Sequence, residues 1–449
     1  MNEQLLYKNK IFFYLLLIIT AFSYYWLCYQ TKRENFYQLC GLFSILFTAY
    51  YLLTRFFSIT YFNYLLIAGI IFRSLLLFSV PNLSDDVYRF IWDGRLAANE
   101  INPFSHLPAE IMQMPPVPGI TKELFGQLNS PQYYTIYPPV LQGIYWLTAK
   151  LYPLNVFAAI IFLKSIILLS EAIIFFLLIK ILKILSLPKH SSLLYILNPL
   201  VITEFTGNAH FDGVMILFVL LSILFLFKKN WAMSAISLAT GIATKLIPIL
   251  FLPLIIIKSG WKKGICYILI TGITTVFLFA LVFEVATINH LLKSIDLFIR
   301  KFEFNASVYY AVRYVGTLIN GYNIIAIAGP FLVLLSGVII VIISFRGKKK
   351  SYEDFIVIAL FIITTWLLFS TTVHPWYICL PVALSVFTSY RYAIIWSFTT
   401  TLSYAAYQYI PVRENLWLVA AGYIFIIGYC LWEFMNKRQI IKILPGGDL

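Results

Sequence analysis

Two adjacent aspartates begin the most charged stretch of the chain, "SDDVYRFIWDGR" (84–95), where five charged side chains occupy eleven residues. A carboxylate that is partly withdrawn from water becomes a better base toward a hydroxyl group. A guanidinium group such as that of Arg89 binds phosphate through two parallel hydrogen bonds, which an ammonium group does less well. With Asp85 or Asp86 as the base and Arg89 at a phosphate, the stretch predicts chemistry on a phosphate-bearing lipid.

The same stretch predicts a short helix from Asp85 to Asn99. Its apolar residues recur at helical spacing on one side, while most of its charges lie elsewhere, so we expect an amphipathic helix on the membrane surface. Ser84 suits the N-cap position, and carboxylates in a first turn suit the positive end of the helix dipole. The two aspartates are therefore either catalytic groups or ordinary caps, and the sequence leaves both interpretations open.

The residues around this stretch are unusually apolar. Of the 449 residues, 61% are hydrophobic and 12% are charged, whereas a soluble protein has about 25% charged residues. Long runs approach or exceed the ~20 residues that span a bilayer: Ile11–Tyr29, Phe36–Leu53, Thr60–Val80, Val156–Ile179 and Lys262–Phe283. They lack the alternation of an outer-membrane barrel. We therefore expect an all-α polytopic membrane protein with a single domain, residues 1–449.

Basic residues are grouped between the apolar runs, and the positive-inside rule places such groups in the cytoplasm. This grouping accounts for the net charge of +14 without a nucleic-acid partner. Alternating crossings predict a bundle of 11–14 transmembrane helices, although Lys32 and Arg33 would then lie outside and break the rule. The groups are Lys8 and Lys10; Lys180, Lys183 and Lys189; Lys228 and Lys229; Lys258, Lys262 and Lys263; Arg346 to Lys350; and Lys437, Arg438 and Lys442.

The remaining polar features converge on the opposite, exoplasmic side. Ionisable residues near a membrane domain are costly and mark substrate paths, so several polar loops on one face predict a site there. Two loops are large: residues 81–135, called here the first loop, and residues 287–320, called the second loop. The other features are Thr203–Asp212, Lys245, Thr371–Tyr377 and Pro411–Asn415.

Four polar residues lie close together after the fourth apolar run: Glu204, Asn208, His210 and Asp212. Glu204 and Asn208 are four residues apart and share a helix face. The group either binds sugar hydroxyls and orients an acceptor, or forms a polar cap between two membrane helices. A zinc site is weakly supported, because a third ligand at metal-like spacing is not visible. The five cysteines show no metal-like spacing either.

Three further residues have both a functional and a structural interpretation. Lys245 either neutralises a phosphate in a dry site, with Pro248 breaking the helix beside it, or extends to the membrane surface. Arg313 either covers a donor phosphate or edges an interfacial aromatic belt. His374 either contacts the phosphate or sugar, or forms a turn beside Trp376.

Several of these stretches resemble one enzyme family. "SDDVYRFIWDGRLAANEINPF" looks like the first-loop signature of membrane glycosyltransferases of the GT-C fold, and is most similar to bacterial mannosyltransferases that use polyprenol-phosphate mannose. It also resembles the D-x-D-Y-x-x-F-x-D-A pattern of the GPI-anchor mannosyltransferase, which Asp85, Tyr88 and Asp93 match. Val87 departs from that pattern, with Asp86 beside it, so either carboxylate remains a candidate base. Similar stretches follow in the family's order up to about Pro381: "IYPPVLQ", "LNPLVITEFTGNAHFDG", "GIATKLIPILFLP" and "VHPWY".

The resemblance implies an inverting transfer of one sugar from a polyprenyl-phosphate donor, and the expected acceptor is a hydroxyl of a lipid or glycan. Mannose, and a site on the periplasmic face of a bacterial inner membrane, are implied by the resemblance. The catalytic candidates are Asp85 and Asp86; those for the donor phosphate are Arg89, Lys245, Arg313 and His374; those for the sugar or acceptor are Asp93, Tyr137, Glu204, Asn208, His210, Asp212, Tyr309 and Trp376. No cofactor is indicated, and a divalent metal at the aspartate pair stays open.

Two other classes of function remain. A secondary transporter or flippase also gathers charges, but near the bilayer midplane and often within internal repeats, and no convincing repeat is visible here. A lipid-linked glycan ligase or polymerase would share the face and the donor, and would need a larger cavity. Nucleotide-binding loops of the Walker and GxGxxG types are absent.

Overall fold

The computed structural model describes residues 9–347 and 351–436. Lys8, Lys348 to Lys350, Lys437, Arg438 and Lys442, which belong to the predicted basic groups, lie outside these ranges. Within them the chain is helical, and its single strand-like feature is an isolated parallel bridge between Phe304 and Thr372.

The longer helices follow one another with short connections. They are α1 Lys10–Gln30, α2 Phe36–Phe57, α3 Phe62–Leu76, α4 Asp86–Ala98, α5 Pro139–Leu151, α6 Val156–Ile184, α7 Pro199–Gly207, α8 Asp212–Phe227, α9 Trp231–Ile242, α10 Ile247–Ser259, α11 Trp261–Ala280, α12 Ile288–Arg300, α13 Val308–Asn320, α14 Ile325–Phe345, α15 Tyr352–Phe369, α16 Pro375–Ser385, α17 Tyr392–Thr399 and α18 Leu416–Met435. Short turns of helix lie at Pro108–Ile111, Lys122–Gly126, Lys189–Ser192, Leu193–Ile196, Val285–Thr287 and Thr400–Gln408.

Seven helices of the described part are long and apolar enough to cross a bilayer: α1, α2, α6, α11, α14, α15 and α18. The pair α7 and α8, bent by 116°, passes the same test as one broken span, and α3, α9, α10 and α16 are shorter apolar helices. The prediction of an all-α polytopic membrane protein is confirmed. A count of 11–14 crossings requires the shorter helices to cross as well.

Helix α4 confirms the helix predicted in the first loop to within a residue at each end, but its charged side chains are more buried than those of an amphipathic surface helix are expected to be. Arg89 and Asp93 are almost fully buried, as are Trp92 and most other side chains of the helix. The helix packs along α5, where the rings of Phe90 and Tyr145 stack with their centroids 4.8 Å apart. Burial of Arg89 and Asp93 is possible because the two side chains form an ion pair with each other inside the protein.

The start of α4 also departs from the expected cap. Asp85 occupies the N-cap position without a capping side-chain bond, and the hydroxyl of Ser84 accepts a hydrogen bond from the Asp86 N–H at 3.3 Å. The carboxylates of both aspartates therefore point to other partners. Capping does not explain them.

Buried charges fix the helices that lead to α4. Arg73 of α3 and Glu171 of α6 form a fully buried ion pair at 2.8 Å, and Tyr195 donates a further hydrogen bond to Glu171. The ammonium group of Lys164 donates to the carbonyl oxygens of Leu76 and Ser79, both at 2.6 Å, and so satisfies the C-terminal end of α3. These contacts hold the point at which the chain enters the first loop.

The approach of α4 to α5 yields a stability prediction for Gly94. A Cβ added at Gly94 would lie 2.6 Å from the carbonyl carbon of Tyr145, so Gly94→Ala must separate the two helices. We expect a loss of about 1–3 kcal/mol, the usual cost of overpacking, measured as a lower midpoint of thermal unfolding in detergent.

Gly143→Ala on α5 is the matched control, because its added carbon meets no described atom within 4 Å. Its stability should stay level or rise, since alanine favours a helix over glycine. Equal unfolding midpoints for Gly94→Ala and the wild type would contradict the close packing of α4 on α5.

Candidate active site

Asp86 lies at the centre of a polar cluster built from the ends of several helices. Its side chain is 22% exposed, and one oxygen accepts a hydrogen bond from the side-chain amide of Asn129 at 2.8 Å. The other oxygen lies 3.9 Å from Nε2 of His210. Asp86 thus keeps contact with solvent while the protein holds it from two sides.

The side chain of Asp85 points away from this cluster and pairs with a cation that was not among the predicted site residues. Its carboxylate forms an ion pair with Arg33 at 2.7 Å, in the connection between α1 and α2, and the Arg33 guanidinium lies 5.2 Å from the ring centroid of Tyr407. A signal for Arg33 was present in the sequence. It is one of the two basic residues that break the positive-inside pattern, and it does so on the side of the first loop.

The end of α7 and the turn that follows it place Glu204, Asn208 and His210 in the cluster. Glu204 is fully buried, and its carboxylate accepts a hydrogen bond from the Tyr404 hydroxyl. Nδ1 of His210 is hydrogen-bonded to the backbone carbonyl oxygen of Glu204 at 3.1 Å and lies 3.1 Å from its carboxylate. The side-chain oxygen of Asn208 accepts from the backbone N–H of Leu83 at 3.2 Å. The turn is therefore tied directly to the residues that precede α4.

Lys245 and Asp212 form the charged pair of the cluster. The ammonium nitrogen of Lys245 lies 2.7 and 2.9 Å from the two carboxylate oxygens of Asp212 and 4.2 Å from the ring centroid of Tyr377. Pro248 stands in the first turn of α10, so the helical path is interrupted at Lys245 as the sequence predicted. The Lys245 side chain is 27% exposed, and its ammonium group remains accessible to a ligand.

Trp376 joins two histidines in an aromatic stack. Its ring centroid lies 3.7 Å from that of His210 and 4.4 Å from that of His374, with small interplanar angles. Burial, with Lys245 and His210 nearby, lowers the pKa of His374 to about 3. Its Nδ1 has no hydrogen-bond partner among the described residues. His374 is thus a neutral group that can bond to a ligand, and it is not a cation.

Arg89 and Asp93 lie behind the cluster and are bonded to each other. Nε of Arg89 donates to Asp93 at 2.8 Å, and its Nη1 donates to the carbonyl oxygens of Ser130 and Tyr133. Asp93 also accepts from Gln142 at 3.2 Å and from Thr135. Both side chains are therefore bonded within the protein, where they hold the first loop in its fold.

Tyr137 is a further sugar candidate and lies just after the first loop. Its ring packs edge-on against the rings of Phe90 and Tyr145, with centroid separations of 4.9 and 5.8 Å. Its ring therefore stands against the inner side of α4. Phe211, which precedes α8, packs against the same two rings at 5.6 and 5.7 Å. These aromatic contacts hold the first loop against the turn that carries His210.

Arg313 and Tyr309 belong to a second polar group, in the second loop. Both bond to Glu303, Arg313 as an ion pair and Tyr309 through its hydroxyl at 2.7 Å. Nearby, Glu414 accepts from the backbone N–H of Asn305 at 2.6 Å. Phe304 stacks 5.2 Å from His374 and links this group to the Asp86 cluster, but Arg313 and Tyr309 are not part of that cluster.

Potential metal ligands are not concentrated anywhere in the described ranges: no group of three or more His, Cys, Asp or Glu side chains there has the arrangement of a metal site.

A comparison with protein families agrees with this picture. The family model described as alpha-(1→6)-mannopyranosyltransferase, N-terminal domain, matches residues 28–259, just over half of the chain. The chain belongs to this family. The matched region contains Asp85, Asp86, His210 and Lys245, whereas His374 lies beyond it. No curated protein matches the chain.

Membership of this family supports mannosyl transfer and is consistent with the GT-C resemblance of the sequence. A sugar donor, an acceptor and the surrounding bilayer are the partners that follow from it. It favours a glycosyltransferase over the transporter or flippase that the sequence alone left open.

The neutral state of His374 gives a prediction for the pH dependence of transfer. Because its pKa is near 3, His374 keeps one protonation state across the working range. His374→Gln should lower kcat/KM about 2- to 10-fold, the value of one neutral hydrogen bond. The acidic limb of the profile of kcat/KM against pH should not move. A limb that moves in this variant would show that His374 titrates during turnover.

Proposed function

We propose that the protein is an inverting glycosyltransferase of the GT-C type, which transfers one mannose from a polyprenyl-phosphate donor to a hydroxyl group of a lipid or glycan acceptor. The observation that carries the proposal is the placement of Asp86, a partly exposed carboxylate, in one cluster with the Lys245 ammonium at the ends of apolar helices. The cluster offers a base for the acceptor and a cation for a phosphate leaving group.

Asp86 is our choice for the base. Asp85 is paired with Arg33 at 2.7 Å, and a carboxylate held by a guanidinium is a weaker base. Among the described residues, the carboxylate of Asp86 accepts a hydrogen bond from the Asn129 amide and lies near His210, and it forms no ion pair with an arginine or a lysine. In the proposed step, Asp86 accepts the proton of the acceptor hydroxyl while that oxygen attacks the anomeric carbon. The bond from this carbon to the phosphate oxygen breaks, and its electron pair leaves with the phosphate.

The leaving phosphate needs positive charge more than it needs an acid, since a phosphate monoester is stable as an anion. Lys245 is the first cation we assign to it, because an ammonium group has three donors and the Asp212 carboxylate does not occupy all of them. Arg33 is the second, because its ion pair with Asp85 leaves further guanidinium donors available. Arg89 and Arg313 then serve to hold the first and second loops.

The site faces the exoplasmic side in this proposal. Helix α8 begins at Asp212 of the cluster and is followed at its other end by Lys228 and Lys229; α6, which packs against α8, carries Lys180 and Lys183 near its C-terminal end. The positive-inside rule assigns those ends to the cytoplasm. A polyprenyl-phosphate donor fits such a site, since its chain stays in the bilayer while its head group reaches the helix ends. The membrane we propose is the bacterial inner membrane.

The name of the family suggests the bond that is formed. An alpha-(1→6) linkage joins C1 of the transferred mannose to a 6-hydroxyl of an acceptor sugar, and inversion gives an α product from a β-linked donor. We therefore propose a glycan acceptor that presents a primary hydroxyl group to Asp86. A ligase that moves a whole glycan is the second candidate, and it would reuse the same base.

Substitution of the two aspartates separates their roles. Asp86→Asn should reduce transfer of labelled mannose from polyprenyl-phosphate mannose about 10²- to 10⁴-fold, the usual contribution of a general base. Asp85→Asn should cost much less, because it removes an ion pair at the edge of the site. Purified proteins with unchanged thermal unfolding are assayed with an α-(1→6)-mannan acceptor. The reverse order of losses would assign the base to Asp85, and failure of the wild type to use any polyprenyl-phosphate sugar would refute the function.

Lys245 is tested by removing its charge. Lys245→Gln should lower kcat/KM about 10²- to 10³-fold, as for other groups that stabilise developing negative charge, and Lys245→Arg should retain more activity. Lys228→Gln, at the opposite ends of the helices, is the matched control and should transfer mannose at the wild-type rate. Wild-type activity in Lys245→Gln would exclude a role at the phosphate.

A further inference from the structure

Behind Asp86 lies a chain of buried polar groups that the mechanism above does not use. Glu204 is fully buried, and His210 is 3% exposed. Nδ1 of His210 lies 3.1 Å from a carboxylate oxygen of Glu204 and 3.1 Å from the Glu204 carbonyl oxygen. Nε2 lies 3.3 Å from the Ser84 hydroxyl and 3.9 Å from Asp86. One imidazole thus connects a buried carboxylate to the proposed base.

The partners of His210 determine which nitrogen carries its proton. A carboxylate and a carbonyl only accept hydrogen bonds, so Nδ1 must be the protonated nitrogen of a neutral imidazole. Nε2 then presents a lone pair toward Ser84 and Asp86. The Ser84 hydroxyl, which already accepts from the Asp86 N–H, can donate to that lone pair while Asp86 is ionised; when Asp86 carries a proton, Nε2 accepts that proton instead.

We propose that His210, oriented by Glu204, is a positioning residue that withdraws the transferred proton from Asp86. This role rests on the proposed function, and it differs from the contact with sugar that the sequence suggested for Glu204 and His210. In the proposed sequence the acceptor hydroxyl gives its proton to Asp86, and Nε2 of His210 then takes it. Asp86 returns to the ionised state while product is still bound, and the proton passes to water when product leaves.

The environment of His210 suits a transient imidazolium. Two carboxylates, those of Glu204 and Asp86, would face its two nitrogens, and the indole ring of Trp376 lies 3.7 Å from it, where a cation is stabilised by the aromatic face. Lys245 opposes the charge, but its own charge is balanced by Asp212. Other titratable or charged groups near Glu204, His210 and Asp86 include His374, Tyr377, Tyr404, Tyr407, Tyr137, Tyr145, Cys379, Cys28 and the Arg33–Asp85 pair.

His210→Asn is the variant that isolates the proposed role. The asparagine amide can still donate to Glu204 from the position of Nδ1, and only the acceptor at Nε2 is lost. We expect kcat/KM for mannose transfer to fall about 10- to 100-fold near neutral pH. The shape of the acidic limb of the profile of kcat/KM against pH should also change, because the imidazole that takes the proton from Asp86 has been removed.

Two further variants complete the profile. Glu204→Gln keeps an acceptor for Nδ1 but replaces the carboxylate that faces the imidazole, so the acidic limb of its profile should also differ from that of the wild type. His190→Asn, in the turn of helix at Lys189–Ser192, is the matched control and should behave as the wild type. If His210→Asn loses activity equally at every pH, its role is purely structural and the proposal is wrong.

A substrate-free measurement keeps this test independent of the transfer reaction. Nitrogen NMR of isotope-labelled histidine, with His210→Asn used to assign the signal, reports the tautomer of His210 in the purified protein. A proton on Nδ1 in the wild type is the expected result. A proton on Nε2 would overturn the proposal even if mannose transfer is observed, whereas inactivity of the wild type with every donor would refute the function instead.

Discussion

The ion pair between Arg89 and Asp93 is the interaction on which the geometry of the site depends. Both side chains are buried, and burying two charges is costly unless their remaining hydrogen bonds are satisfied. Here they are satisfied by the first loop, through the carbonyl groups of Ser130 and Tyr133 and the side chain of Thr135, and by Gln142 of α5. The pair therefore fixes α4 against the loop that follows it, and α4 in turn presents Asp86.

The structure separates the charged residues into two kinds by how completely they are bonded. Arg73 with Glu171 and Arg89 with Asp93 have little or no solvent contact, so they hold helices together. Asp86 and Lys245 keep about a quarter of their side chains exposed. In an apolar environment a partly bonded charge is costly to keep, and binding a substrate is a physical reason to retain it.

Sequence reasoning predicted the class of fold, the bounds of α4 and the convergence of Asp86, His210, Lys245 and Trp376, because periodicity, charge grouping and order along the chain contain that information. It did not predict the burial of α4. The four-residue spacing of Arg89 and Asp93 permits an ion pair, but only the folded loop supplies the other partners that make burial affordable. Arg33 was missed for a related reason, since its importance depends on Asp85, which is distant in sequence.

Helix α9 is short for a membrane span. It has 12 residues and rises about 18 Å at 1.5 Å per residue, whereas the hydrocarbon core is about 30 Å thick. Lys229 precedes α9 and Lys245 follows it closely, so in the proposed orientation, with Lys229 at the cytoplasmic surface, Lys245 lies well short of the far surface. A donor phosphate that meets Lys245 as proposed would enter below the headgroups of the surrounding lipids. The proposed reaction would then depend on bilayer thickness, because a thicker membrane would place the entrance deeper.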